Sequence, residues 1–208
     1  MKKRYGFFGG CFNPVTNAHI NLANLAVEKF NLDKLVFVPM GDKYQKQDLA
    51  NEEHRYKMLK IATLNQEKLE VSDLELNLPH ALTTLQAFQK IEEQYQDITS
   101  YFMIGADNLN KLTNSRDFEI LAKNYEYIIL ERQGIQIKEL IAENPILKRF
   151  ENQFHILENN PYEKVSSTEV RNSLKNSEEQ NLHTMISKEV YGYIKENQIY
   201  KNENKHKS

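Results

Sequence analysis

Short runs of β-branched and aromatic residues, apolar almost from end to end, recur along this chain with helical stretches between them. They fall at residues 4–8, 34–38, 101–104, 125–130 and 154–157, with a weaker one over 69–74. A strand with one wet face alternates apolar and polar residues, whereas a strand buried on both faces need not. Strands of the second kind belong to parallel sheets, whose crossover helices cover both faces. The stretches between them carry apolar stripes at helical spacing: Ile20, Ala23, Val27 and Phe30, then Leu85, Phe88, Ile91 and Tyr95, then Ile186, Val190 and Ile194. The expected fold is α/β, a Rossmann-like doubly wound parallel sheet with a C-terminal helical cap. Residues 1–160 make the α/β core. Near Pro161 the strand runs stop, so 161–200 is expected to be helical, and the polar stretch 201–208 is expected to be a disordered tail.

Composition narrows the function. The 27 Lys and Arg nearly balance 29 Asp and Glu, leaving a net charge of −2. That gives no bulk attraction for nucleic acid or an anionic membrane, so neither is expected as a partner. A single cysteine, Cys11, excludes an internal disulfide and a cysteine-based zinc cluster. No apolar run approaches the ~20 residues of a membrane span, and the start of the chain has no signal-peptide layout. A cytoplasmic protein is expected. A homo-oligomer is compatible with the sequence, but no apolar stripe stands apart from the core faces to mark its interface.

In open α/β sheets ligands sit beyond the C-terminal strand ends. The first strand delivers Gly9, Gly10, Cys11, Phe12 and Asn13, a proline turn, then Thr16 and His19 at a helix start. Glycine stands where backbone approaches a ligand or takes a positive φ, and free N–H groups with the helix dipole favour an anion there. Thr16 and His19 share a helix face, so they either bind phosphate together or form a cap with a packed ring. The Gly-Gly loop before them favours phosphate. Far downstream, Ser166, Ser167 and Thr168 open another helix. They would be an ordinary N-cap were it not for Arg171 one turn later, which aims a guanidinium at the same anion. Asp107 and Arg132 follow strands, and Lys43 and Lys46 lie in the loop after the second strand. Cys11 reads as a small filler in the loop. The sequence has no Gly-x-x-x-x-Gly-Lys, Gly-x-Gly-x-x-Gly, His-Glu-x-x-His or Gly-x-Ser-x-Gly, and its histidines make no metal-ligand spacing.

Taken together, Gly9-Gly10-Cys11-Phe12-Asn13-Pro14, Thr16-Asn17-Ala18-His19, Ile104-Gly105-Ala106-Asp107, Glu131-Arg132 and Ser166–Arg171 resemble the nucleotidyltransferase superfamily with a Thr/His-x-Gly-His motif. The closest resemblance is to the bacterial nicotinate-nucleotide adenylyltransferase family. It implies adenylyl transfer from ATP to a nucleotide monophosphate, with pyrophosphate released and Mg²⁺ accompanying the phosphates. His19, Thr16 and Arg171 would be catalytic. Gly9 to Asn13 and Ser166 to Thr168 would hold ATP, with 161–200 completing that site. Asp107, Arg132, Thr84, Lys43 and Lys46 would serve ribose or the acceptor. The departures fall mainly on the acceptor side. The family's lysine-bearing loop after strand two is replaced by Gly41-Asp42-Lys43-Tyr44-Gln45-Lys46, and its stacking tryptophan is absent, leaving Tyr44 or Phe118 to substitute. Nicotinate mononucleotide is the leading acceptor. The alternatives are nicotinamide mononucleotide or another phosphomonoester and, in a different class, a non-catalytic nucleotide sensor. The sensor reading is disfavoured because Thr16, His19 and Arg171 are all present.

Overall fold

The computed structural model describes residues 2–44, 48–131, 136–158, 165–176 and 180–201. Six strands form one sheet: β1 (Lys3–Gly10), β2 (Lys34–Pro39), β3 (Leu69–Val71), β4 (Ile98–Gly105), β5 (Glu126–Leu130) and β6 (Phe154–Leu157). Every pairing is parallel and the spatial order is β3-β2-β1-β4-β5-β6. The helices among the described residues are α1 (Asn17–Lys29), α2 (Glu52–Thr63), α3 (Thr84–Gln94), α4 (Leu109–Thr113), α5 (Phe118–Asn124), α6 (Ile137–Glu143), α7 (Pro145–Arg149), α8 (Ser167–Lys175), α9 (Leu182–Met185) and α10 (Lys188–Glu196).

The apolar runs are explained by the two cores they separate. Phe7, Val36, Phe102, Tyr127 and Ile129 face one side, with residues from α3 to α7 packed over them. Phe8, Leu35, Phe37, Met103, Ile128 and Leu130 face the other, under α1, α2 and the C-terminal helices. Val170, Leu182, Ile186, Val190 and Ile194 share a cluster with Phe8 and Phe37. Each such side chain contributes about 1.5–3 kcal/mol relative to exposure. Apolar burial therefore holds the C-terminal helices on the sheet.

The expected strands are all present, with shifted ends. β1 runs on through Gly10, β4 starts at Ile98, and β3 stops at Val71 where the sequence pattern continued to residue 74. Tyr125 is the C-cap of α5, in an extended conformation, and lies just before β5, which starts at Glu126. Ile186 lies outside α10, since Ser187 caps that helix, although it is buried in the same cluster. Pro161 and residues 202–208 lie outside the described residues.

The sheet order reverses between β1 and β4, which opens a crevice at their C-terminal ends. Gly9 stands at its lip, where an added Cβ would have no atom within 4 Å.

Candidate active site

A cleft of about 1050 Å³ occupies this switch point. Gly9, Gly10, Cys11, Phe12, Asn13 and His19 line it from the β1–α1 turn, and Asp107 and Lys111 from the turn after β4. Ser166, Ser167, Thr168 and Arg171 line it from the start of α8. Tyr44, Glu75, Leu82 and Thr84 form a further wall.

His19 is held by its own helix start. Thr16 is the N-cap of α1, and His19 occupies the third helical position of a capping box. The Thr16 N–H donates to His19 Nδ1 at 3.0 Å, and the Thr16 hydroxyl lies 2.8 Å from the same nitrogen. A backbone N–H can only donate, so Nδ1 carries the lone pair and the ring proton sits on Nε2. Phe12, at φ 45°, packs its ring edge-on against His19 with centroids 5.2 Å apart. Capping and ring orientation are thus one arrangement. Thr16 itself is 2 % exposed and is not among the cleft-lining residues.

The turn that follows β1 is tied to distant segments. Asn13 Oδ1 accepts from the Tyr200 hydroxyl at 2.7 Å and from the Ala50 N–H at 3.0 Å, while its Nδ2 donates to Asp48 O at 2.7 Å. The Asn13 carbonyl accepts from Arg171 Nη1 at 2.8 Å, and Ser167 Oγ donates to Pro14 O at 2.8 Å. Arg171 Nη2 reaches Thr168 Oγ1 at 3.3 Å. Ser166 caps α8 by accepting from the Glu169 N–H. Arg55 is fully buried and donates to Ala50 O, Cys11 O and Asp42 Oδ1 at 2.8, 3.0 and 2.9 Å. Burial pushes the Tyr200 phenol well above the usual tyrosine range, with Arg171 and Arg55 pulling the other way.

On the further wall the Tyr44 hydroxyl donates to Leu82 O at 3.0 Å. Glu75 is 7 % exposed, and burial raises its carboxyl above the usual carboxylate range while the neighbouring Tyr44 hydroxyl opposes the rise. Thr84 is the first residue of α3, behind the Thr83 cap.

The two segments expected from the sequence meet: Gly9–Asn13 with His19, and Ser166–Thr168 with Arg171, line one cleft, joined through Asn13 and Pro14. Lys43 is exposed and is not among the lining residues. Lys46 and Arg132 lie outside the described residues. Phe118 cannot replace a stacking ring, because it is 3 % exposed and packs on Phe150 inside the core. Tyr44 does line the cleft. The sequence reading missed Arg55, Glu75, Lys111 and Tyr200. A carboxylate between Leu74 and Leu76 was the one readable signal for Glu75.

A parallel sheet in this order, with a glycine turn, a helix-start histidine and a second helix N-terminus converging on its switch point, defines a nucleotidyltransferase. The chain belongs to the cytidylyltransferase-like family, whose profile matches residues 7–173. It is 30 % identical over 203 residues to a probable nicotinate-nucleotide adenylyltransferase of Clostridium novyi, covering 97 % of this chain and 100 % of that one. A protein of the same description from Clostridium acetobutylicum is also 30 % identical, over 96 % of this chain and 100 % of its own. The fold matches that of a Plasmodium falciparum nicotinic acid mononucleotide adenylyltransferase complexed with NaAD, with a TM-score of 0.79 and 23 % identity over 95 % of this chain and 97 % of the other. No helix among the described residues is long and apolar enough to cross a membrane.

Proposed function

We propose that the protein joins ATP to nicotinate mononucleotide, giving deamido-NAD and pyrophosphate in NAD biosynthesis. An oxygen of the acceptor's phosphate attacks the α-phosphorus of ATP, and the bond to the β-phosphate bridging oxygen breaks. The nucleophile is already anionic at neutral pH, so alignment and charge neutralisation carry the catalysis. His19 donates from Nε2–H to the reacting phosphate, and Thr16 is a positioning residue that acts through its hold on Nδ1. Gly9 and Gly10 allow close backbone approach. Ser167, Thr168 and the unpaired first N–H groups of α8 receive the triphosphate together with Arg171, so that 161–200 completes the ATP site. Asp107 accepts from ribose hydroxyls and Thr84 serves the acceptor. Arg132 meets phosphate, with Lys46 the remaining candidate from the loop after β2. Mg²⁺ enters as part of the ATP substrate, held by phosphate oxygens and water. A single cysteine, which can form no internal disulfide, and an ATP substrate suit the cytoplasm.

The observation that carries this reading is the anchor between the two helix starts: Ser167 and Arg171 of α8 bond to the Asn13–Pro14 turn that leads into α1. Pyrophosphate release is to be measured with ATP and a panel of nicotinate mononucleotide, nicotinamide mononucleotide and pantetheine phosphate. Release with nicotinate mononucleotide, faster than with the others, is expected. Faster turnover of another acceptor would reassign the acceptor alone, and no release with any, in protein that binds ATP, would favour a sensor.

A further inference from the structure

Glu75 sits in the segment that leads from β3 back to α3, and this segment is fixed in place. The Asn77 N–H donates to Glu52 Oε1 at 2.8 Å, and the Asp42 N–H donates to the other oxygen of Glu52 at 2.6 Å. The Gly41 backbone lies so close to the Glu75 carbonyl that a Cβ there would collide with it. The Glu75 side chain is 7 % exposed, lines the cleft, and holds Oε2 buried without a hydrogen-bond partner among the described residues. The neighbouring Tyr44 cannot satisfy Oε2, since its single proton goes to Leu82 O. No described cation bonds to this carboxyl. Burying a polar atom in this way costs as much as a lost hydrogen bond, and native proteins leave few such atoms without a functional reason. Leucine would fill the position without that cost.

We propose that Glu75 Oε2 accepts a hydrogen bond from the acceptor nucleotide, from a sugar O–H or a carboxamide N–H, and is a binding contact of the acceptor wall. This rests on the adenylyl-transfer reading given above. A carboxylate has no proton to offer, so an acidic pyridine substituent turns away from Oε2 while an amide engages it. Both mononucleotides carry sugar hydroxyls and only the nicotinamide one carries the amide N–H, so the pair distinguishes the two sources.

The test compares wild type, Glu75→Leu and Glu75→Gln by kcat/KM for each mononucleotide, KM for ATP, and Tm. Glu75→Leu is expected to lower acceptor kcat/KM about tenfold, the scale of one unpaired hydrogen bond. KM for ATP stays within about twofold and Tm holds or rises, because a buried unsatisfied atom has been removed. Glu75→Gln keeps a carbonyl oxygen and is expected to restore most of the loss. A loss with both mononucleotides assigns the sugar hydroxyl, and a loss with nicotinamide mononucleotide alone assigns the amide. Unchanged kcat/KM for both acceptors in Glu75→Leu overturns the proposal, as does a lowered Tm with both substrates impaired together. Calorimetric titration of wild type and Glu75→Leu with each mononucleotide reads the same contact without turnover. An absent reaction with either mononucleotide would therefore count against adenylyl transfer and not against Glu75, and equal affinities of the two proteins would count against Glu75.

Discussion

The two sides of the cleft are built differently. Around the phosphate turn polar atoms are already spoken for: Asn13 bonds through Oδ1, Nδ2 and its carbonyl, Ser167 and Arg171 hold the same turn, and Arg55 spends its guanidinium on Ala50, Cys11 and Asp42. On the acceptor wall Glu75 keeps a buried oxygen with no described partner. On the proposed reading, the donor half is preorganised before substrate arrives, which avoids reorganisation at the moment of reaction, and the acceptor half leaves a polar atom for its ligand to complete. Differences in acceptor choice within this fold can therefore arise without disturbing the ATP machinery.

The largest expected effect on activity is at His19. His19→Ala lowers kcat by about 10²–10³-fold, the usual cost of removing one transition-state donor. Its Tm changes by a few degrees at most, since only one capping contact is lost. Near-normal turnover would remove His19 from the mechanism. Arg55→Met acts on the frame instead. Losing a fully buried, hydrogen-bonded arginine costs about 3 kcal/mol of stability, read by urea unfolding, and a loss under about 1 kcal/mol would mean that the turn does not depend on it. Tyr200→Phe deletes one hydroxyl and keeps the ring. It raises KM for ATP about fivefold, as expected for one hydrogen bond of about 1 kcal/mol, with Tm nearly unchanged. A lowered Tm with unaltered KM would make Tyr200 a packing residue alone. Lys43→Ala is the smallest, within about twofold in either KM, because an exposed lysine away from the cleft lining contributes little.

The legible parts of the molecule are those with local grammar. The sheet was readable because buried parallel strands leave unbroken apolar runs such as Leu35–Val36–Phe37–Val38. Thr16, His19 and the Ser166–Arg171 segment were readable because a cap and a basic residue one turn on are short-range patterns. The short helices α4 to α7 hold too few turns to show a period. Nothing local marked Arg55 or Tyr200 for a role, since their partners in the turn after β1 lie 44 and 187 residues away. Phe118 misled because an aromatic at a helix start looks the same whether it faces a cleft or the core.

The division between a finished donor half and an unfinished acceptor half is tested most directly by crossing two variants against two substrates. Steady-state kinetics of Tyr200→Phe and Glu75→Leu should each yield KM for ATP and kcat/KM for the acceptor. A crossed pattern is expected, with Tyr200→Phe weakening ATP alone and Glu75→Leu weakening the acceptor alone. If both variants weaken the same substrate, or each weakens both equally, the two halves are not separately built.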